Sequence, residues 1–353
     1  ASLTALIVAL TALSPARPET PLSVELGPPL EIGRADLLFG SIVSVCEDDG
    51  GDFYVLDRLE RTVFKFLPVG RLLLKFGRKG QGPGDFQSPG RIAFTGRGEL
   101  AVLEDVGSVS FHSADGAFVR RLGLHGRLGL GYVGPDRYYG WEWRPDRRQQ
   151  LLIDADNAVR ETFHAIGRDL FSAVLPDETG RSVMFNYDHE AYVPQFLFAY
   201  GAGLSAIGTS DRYEIALLDE KGRTITTIRR DMEPGRMTAK EKAFLERGLR
   251  EFSRSKSWPD RVTRELASKI PAHKNIISTV LISPDRVFVF RLPSDITAAS
   301  PRPVDVFARH GAFLGSIELP DEPLHISAGA MYFSRTDSDG NVYLERRSYS
   351  IRP

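Results

Sequence analysis

Seven histidines, His112, His125, His164, His189, His273, His310 and His325, are the side chains best suited to move a proton or hold a metal near neutral pH. None stands at the paired spacing that brings two imidazoles to one zinc ion. The densest polar triplet is Asp188-His189-Glu190, in the connection from Asn186 to Tyr192. Neighbours in an extended segment point apart, so the triplet reads as a solvated loop before it reads as an acid–base pair or a cation site. Asp48, Asp49 and Asp52 form one acidic turn, and Asp337, Ser338 and Asp339 another. Neither has the ligand spacing of a calcium loop, and both read as hairpin turns. Gly77-Arg78-Lys79-Gly80-Gln81-Gly82 has glycines enough for a phosphate cradle but no Gly-Lys-Ser/Thr end and no helix after it. No GxSxG elbow is present. The residues therefore imply no catalytic set, no cofactor site and no metal site, and the chain reads as non-enzymatic.

Two other clusters suit binding. Tyr132, Tyr138, Tyr139, Trp141 and Trp143 lie within twelve positions and run into Arg144, Arg147 and Arg148. In a strand Tyr139, Trp141 and Trp143 share one face, and Tyr138 and Glu142 take the other. Three rings on one face are either packing core or a contact platform, since Trp, Tyr and Arg dominate binding hot spots. The second cluster is helical. Thr238-Ala239-Lys240-Glu241 is a capping box. Leu245, Leu249 and Phe252 follow at helical spacing with Phe244 beside them. Pro259 suits the first turn of a second helix, and Val262, Leu266 and Ile270 share one face of it. From Arg236 to Lys269 there are ten Lys or Arg and five Asp or Glu, a local net of +5. Arg247, Arg250, Arg254 and Lys256 then form a basic outer side. It is either a docking arm for an acidic partner or the solvated side of a packed insertion.

What positions these clusters is a repeat. A glycine with apolar residues three and six positions later recurs four times: Gly70-Leu73-Phe76, Gly116-Val119-Leu122, Gly222-Ile225-Ile228 and Gly311-Leu314-Ile317. Gly70 and Gly116 are 46 residues apart, about one four-stranded propeller blade. Gly116 to Gly222 is 106 residues, room for two blades, the first of them degenerate with its turn near Asp156-Asn157. Gly222 to Gly311 is 89 residues, one blade plus the helical insertion. A last strand group follows at Ala330–Phe333 and Val342–Leu344, around Asp339-Gly340-Asn341. Runs such as Phe53–Asp57, Thr62–Phe66 and Leu100–Leu103 are short, aromatic or β-branched, and bounded by turn residues. The count is six blades, with seven or an open array as alternatives.

The segment Gly80-Gln81-Gly82-Pro83-Gly84-Asp85-Phe86-Gln87-Ser88-Pro89-Gly90, followed by Ile92-Ala93-Phe94 and Leu100-Ala101-Val102, resembles the inter-blade signature of bacterial six-bladed β-propellers of the NHL-repeat and TolB-like kind. The looser blade pattern spans roughly residues 40–350. The resemblance implies an all-β, six-bladed propeller closed by pairing an N-terminal strand with the last blade, with Leu22–Leu26 or Leu30–Ile32 as that strand. It implies no single activity, because such propellers mostly bind proteins, glycans or other ligands. Some relatives are calcium-dependent lactonases or lyases with acidic residues and asparagines around the central channel.

Net charge is −1, so no whole-molecule field favours nucleic acid. The single cysteine, Cys46, has no internal disulfide partner and sits in an apolar run. Residues 1–16 open with an uncharged apolar stretch that includes Leu3, Leu6, Ile7, Val8, Leu10 and Leu13. Fourteen such residues match the apolar core of a secretory signal and fall short of the ~20 that span a bilayer. The favoured reading is the visible end of a transmembrane anchor, with a signal segment or an interfacial helix as alternatives. Residues 17–30 then read as a proline-rich tether and 31–353 as the propeller, with its helical insertion at about 237–271. The expected role is a non-catalytic propeller tethered on the periplasmic side of a bacterial inner membrane, or secreted after cleavage. There it would be an accessory or scaffold subunit of a larger membrane complex, photosynthetic or respiratory complexes being the named candidates. The alternatives are a periplasmic module binding a glycan or peptide, and a calcium-dependent hydrolase or lyase.

Overall fold

The computed structural model describes residues 22–34, 37–105, 107–167, 172–176, 181–187, 189–298 and 301–353. The chain enters through β1 (Ser23–Ile32). Blade one is β2 (Ile42–Glu47), β3 (Phe53–Asp57), β4 (Thr62–Phe66) and β5 (Leu72–Phe76). Blade two is β6 (Pro89–Phe94), β7 (Leu100–Glu104), β8 (Ser108–His112) and β9 (Phe118–Gly123). Blade three is β10 (Leu128–Gly134), β11 (Arg137–Trp143), β12 (Arg147–Asp154) and β13 (Val159–Gly167). A two-stranded hairpin follows, β14 (Ser172–Pro176) and β15 (Ser182–Asn186). Blade four is β16 (Phe196–Gly201), β17 (Leu204–Thr209), β18 (Glu214–Leu218) and β19 (Thr224–Arg229). Helices α1 (Ala239–Ser255) and α2 (Asp260–Ser268) come next. Blade five is β20 (Ile277–Ile282), β21 (Arg286–Arg291), β22 (Arg302–Ala308) and β23 (Phe313–Leu319). Blade six is β24 (His325–Ile326), β25 (Ala330–Thr336) and β26 (Val342–Arg352), completed by β1.

The ring closes at six, so neither the seven-bladed nor the open alternative holds. First strands meet one another around the centre, β2 with β6 and β24, and β20 with β16 and β24. Second strands lie between sheets and bury both faces, which is why β3 and β7 read as unbroken apolar runs; every residue of each is buried. Closure uses both segments considered for it. β1 pairs with β26 from Ser23↔Arg352 to Ile32↔Leu344, with one register shift between Leu26 and Pro29. An outer strand tolerates proline because its free edge needs no donor. Strand β1 starts at Ser23, so the stretch 17–30 is not all tether: Val24 and Leu26 pack with Tyr349 and Ile351 against the core of blade five. The apolar residues Leu3, Leu6, Ile7, Val8, Leu10 and Leu13 lie outside the described residues. No helix among the described residues is long and apolar enough to cross a membrane.

The four glycines of the repeat occupy one equivalent place, the turn between third and fourth strands. Their φ angles are 83° at Gly70, 84° at Gly116, 77° at Gly222 and 89° at Gly311. Positive φ is one reason for glycine. Crowding is the other, because a Cβ on Gly222 would lie 2.5 Å from Leu152 of blade three, and one on Gly116 would lie 2.6 Å from Phe76 of blade one. In blade three Asn157 takes the position with φ 63°, and its amide donates to the His125 carbonyl at 3.0 Å. That substitution is what made the blade look degenerate.

The inserted elements form a cap with its own small core. Thr238 and Glu241 make the expected capping box at the start of α1. Leu249 of α1, Val262 and Leu266 of α2 and Ala173 of β14 are buried together, with Leu175, Phe185, Tyr187 and Trp258 packed against them. Ile270 is half-buried in the neighbouring cluster beneath Leu245 and Met237, while Phe244 and Phe252 remain largely exposed. Arg261 donates to the Pro176 carbonyl, and Lys269 Nζ donates to the Ser172 carbonyl at 2.6 Å, tying α2 to β14. Both insertions lie in fourth-to-first-strand connections, so antiparallel alternation puts them on one face of the ring.

Candidate functional site

The two faces of the ring differ. The face built from first-to-second and third-to-fourth strand turns holds a recess of about 1020 Å³. Its lining includes Glu47, Asp48, Asp49, Asp219 and Glu220, with Lys221 as the one basic residue. The acidic turns are internally committed. Asp48 Oδ1 accepts from the Gly50 and Asp52 backbone N–H groups at 3.0 Å each, and Lys65 Nζ lies 3.5 Å from Asp48 and 3.1 Å from Asp52. Asp337 accepts from the backbone N–H groups of Asp339 and Asn341 in the same way. Both are hairpin turns stabilised by their own first carboxylate. Among the described residues no three His, Cys, Asp or Glu side chains come together to hold a metal ion.

The recess continues into the central channel, lined by Arg91, Tyr132, Phe198, Tyr200, Glu322 and His325 among others. Arg91 donates to the Phe198 carbonyl at 3.2 Å and stands over the Phe198 ring. Glu322 accepts from Ser278 Oγ at 2.9 Å, and burial raises its carboxyl above the usual range. Burial also lowers the His325 imidazole to about 4, so this ring is neutral at pH 7. The tyrosine hydroxyl beneath it, Tyr332, donates to Glu47 at 2.6 Å. Cys46 is a buried free thiol, raised far above its ordinary value by burial. Of these groups the sequence had singled out only His325, Tyr132, Glu47's acidic neighbours and Cys46. The signal for the rest is positional: all but Tyr332, which is on the second strand β25, sit on or just before a first strand, and first strands line the channel.

The opposite face carries the cap and the turn between β11 and β12. Here the aromatic cluster divides. Tyr138 packs edge-on to Tyr132 in the core between blades two and three. Tyr139 stacks on Phe198 of blade four, centroids 4.5 Å apart. Both are buried, so for these two the platform reading gives way to core packing: a strand between two sheets buries alternate residues in opposite directions. Trp141 is half-buried beside Phe196, with the Arg148 guanidinium over its ring. Arg148 itself is buried and donates to the Pro194 carbonyl at 3.1 Å. Trp143, Arg144 and Arg147 are exposed at the turn. Arg144 and Arg127 converge on the buried carboxylate of Glu142, which also accepts from Gln149. Arg247, Arg250, Arg254 and Lys256 are exposed along α1. The site residues read from sequence thus divide into exposed positions at the β11–β12 turn and along α1, the half-buried Trp141, and three inward members, Tyr138, Tyr139 and Arg148.

Beside the Leu245 and Met237 contacts, a buried ion pair joins the cap to the segment that leads into blade five. Lys274 Nζ lies 2.5 Å from Glu241 Oε1 and 2.5 Å from the Ser294 carbonyl. Burial opposes ionisation of Glu241, but hydrogen bonds from Lys274, the Thr238 backbone and hydroxyl and the Ile296 backbone outweigh it and hold the carboxyl at about 2. Of the polar triplet, Asp188 lies outside the described residues. His189 stacks on Tyr192 within the chain's own turn, and Glu190 is exposed.

No protein-family model matches this chain, and no curated protein sequence does. Solved structures do. A Bacteroides fragilis protein described as exported aligns over 94% of this chain and 96% of its own, at 10% identity and a TM-score of 0.57. A Bacteroides vulgatus member of the DUF4221 family aligns over 95% of this chain and 99% of its own, at 9% identity and a TM-score of 0.54. A streptogramin B lyase aligns over 93% of this chain at a TM-score of 0.41. The first two likenesses define the class, a six-bladed β-propeller; the NHL-repeat and TolB-like resemblance stays at the level of that fold.

Proposed function

We propose that this chain is a non-catalytic, extracytoplasmic propeller that docks onto a larger membrane complex as an accessory or scaffold subunit, held to the membrane by its N-terminal apolar segment. The observation that carries the reading is the concentration of contact chemistry on one face. Insertions from two different inter-blade connections merge there into a cap whose outer side shows Arg247, Arg250, Arg254 and Lys256. Trp143, Arg144 and Arg147 stand on the same face at the β11–β12 turn. Exposed Trp and Arg are the residues that most often anchor protein contacts. Residue Ser23, where the described ring begins, lies at the end of an outer strand on the opposite, recessed face. A chain tethered through residues 1–22 therefore turns its cap away from the tether, toward the extramembrane part of a partner. The exported description of one structural neighbour is in keeping with this placement.

Gentle detergent extraction from native membranes, size separation and intact mass test it. Co-migration with a large complex, lost in an Arg247→Glu, Lys256→Glu double variant, is the expected result. A free monomer from the same membranes overturns it. The channel supports a second reading, a small-ligand module, because Arg91 and Glu322 stand among Tyr132, Phe198 and Tyr200 in one enclosed space.

A further inference from the structure

Helices α1 and α2 pack their apolar stripes toward the hairpin, and beside that core they leave a crevice of about 210 Å³. From α1 it is lined by Arg250, Ser253 and Arg254, three and four positions apart and so on one side of the helix. From α2 it is lined by Asp260, Thr263, Arg264 and Ala267, again one side, and Trp258 closes the end where the helices join. The volume exceeds the roughly 30 Å³ share of a water molecule several-fold.

Three observations bear on what fits there. Arg254 and Arg264 have no carboxylate partner among the described residues, and Arg250 has only the looser contact to Glu246 at 3.4 Å. Ser253 is 3% exposed, and its Oγ has no hydrogen-bond partner. A buried hydroxyl without a partner is uncommon in a native fold, and a group seated in the crevice that Ser253 lines would supply one after a side-chain rotation. Asp260 adds one carboxylate, leaving the lining at net +2. Guanidinium forks and hydroxyls together supply more donors than a carboxylate ligand would use, and they match a tetrahedral oxyanion. Asp260 then discriminates. Inorganic phosphate keeps a proton even as the dianion and donates it, as does a monoester below its second pKa of about 6, whereas sulfate has no proton to give and is repelled.

We propose that the α1–α2 crevice is a phosphate-binding site, taking inorganic phosphate or the phosphate of a monoester, with Arg250, Arg254 and Arg264 as its cationic wall, Ser253 as a buried donor and Asp260 as the acceptor that excludes sulfate. The site does not depend on the docking reading, since a monomer that joins no complex would still bind the anion.

The test is calorimetric titration of the full chain at low ionic strength with inorganic phosphate, glycerol phosphate and sulfate, with Trp258 emission followed in parallel. Saturable phosphate binding at least ten-fold tighter than sulfate is expected. Arg254→Gln and Arg264→Gln should each weaken it ten-fold or more, with helix content by circular dichroism unchanged because both side chains are exposed. Asp260→Asn should narrow the gap between phosphate and sulfate. Ser253→Ala separates a binding role from a structural one: it should weaken phosphate binding while leaving thermal stability equal or higher. Glycerol phosphate binding as tightly as phosphate identifies an esterified group as the ligand, and weaker binding identifies the free anion. No saturable binding, indifference to both arginine variants, or sulfate binding equal to phosphate each overturns the proposal.

Discussion

A blade such as β2–β5 buries both faces of its second strand against neighbouring sheets, while the cap has one four-residue cluster of its own and joins the ring through a second small cluster around Leu245 and Met237 and through polar links. In the blade, turn chemistry and packing reinforce each other: the Gly70 turn sits against Ile32 of the closing strand. In the cap, Glu241–Lys274, Arg261–Pro176 and Lys269–Ser172 join elements more than thirty residues apart in sequence. The difference teaches that the ring's stability is distributed, and the cap's is concentrated in a few replaceable contacts. Local opening of the cap is thus available without opening the ring.

The comparison can be broken at several points. Glu241→Ala should have the largest effect, about 3–5 kcal/mol on the cap, because it strips a buried Lys274 of its carboxylate and α1 of the side-chain half of its capping box. Hydrogen exchange should show protection lost in 237–271 and retained in β3 and β7; loss throughout would show that ring and cap are one unit. Leu249→Ala should cost the cap about 2–4 kcal/mol by leaving a void between α1, α2 and β14, with the same exchange pattern. Gly222→Ala should act on the ring instead, lowering its thermal midpoint by an amount worth about 1–3 kcal/mol, since both φ and Leu152 oppose a Cβ. A midpoint unchanged in that variant would sink the account of the repeat glycines.

Two pH effects sharpen the contrast. The Glu241 carboxyl is held at about 2 against an ordinary 4.5, so its contribution is complete above pH 4.5 and fades as pH falls toward 2. The cap should therefore lose exchange protection in that window before the ring unfolds. His325 is depressed from 6.5 to about 4, so the ring's stability should rise with pH between 4 and 6.5. The effect is the smallest of the set, roughly 1 kcal/mol after screening in the wet channel, and His325→Phe should abolish the slope in thermal unfolding.

What was legible in the sequence was local. The four glycines, the apolar runs and the Thr238–Glu241 box each declare themselves within a few residues, so the blade count and α1 were readable. What was hidden depends on distance along the chain. Nothing in 172–186 announces a hairpin, and nothing links it to helices more than fifty residues later, yet Ala173 lies in their core. Asp57 and Glu104 look like strand-end acids, but they are buried. Asp57 accepts from the backbone N–H groups of Gly40 and Ser41, Glu104 from those of Gln87 and Ser88, pinning each blade's entry loop. Tyr138 and Tyr139 resembled a platform because residue type alone does not tell a buried ring from a presented one. The crevice escaped notice because Ser253 is an unremarkable residue until its lack of a partner is seen in three dimensions.

Closure by β1 fixes an order of events as well as a shape. The strand is made before the five blades that follow it, and its partner β26 only after all of them. Ser23 and Arg352 are 329 residues apart, so their pairing closes a loop that contains every other blade. Five blades can stack during synthesis, but the sixth lacks β26, and with it the attachment of β1, until residue 352 is free of the ribosome. Until then β1 is not held beside β23 and apolar edge is open, so ring closure is the step most exposed to misassembly, and removal of β26 should leave a sticky arc.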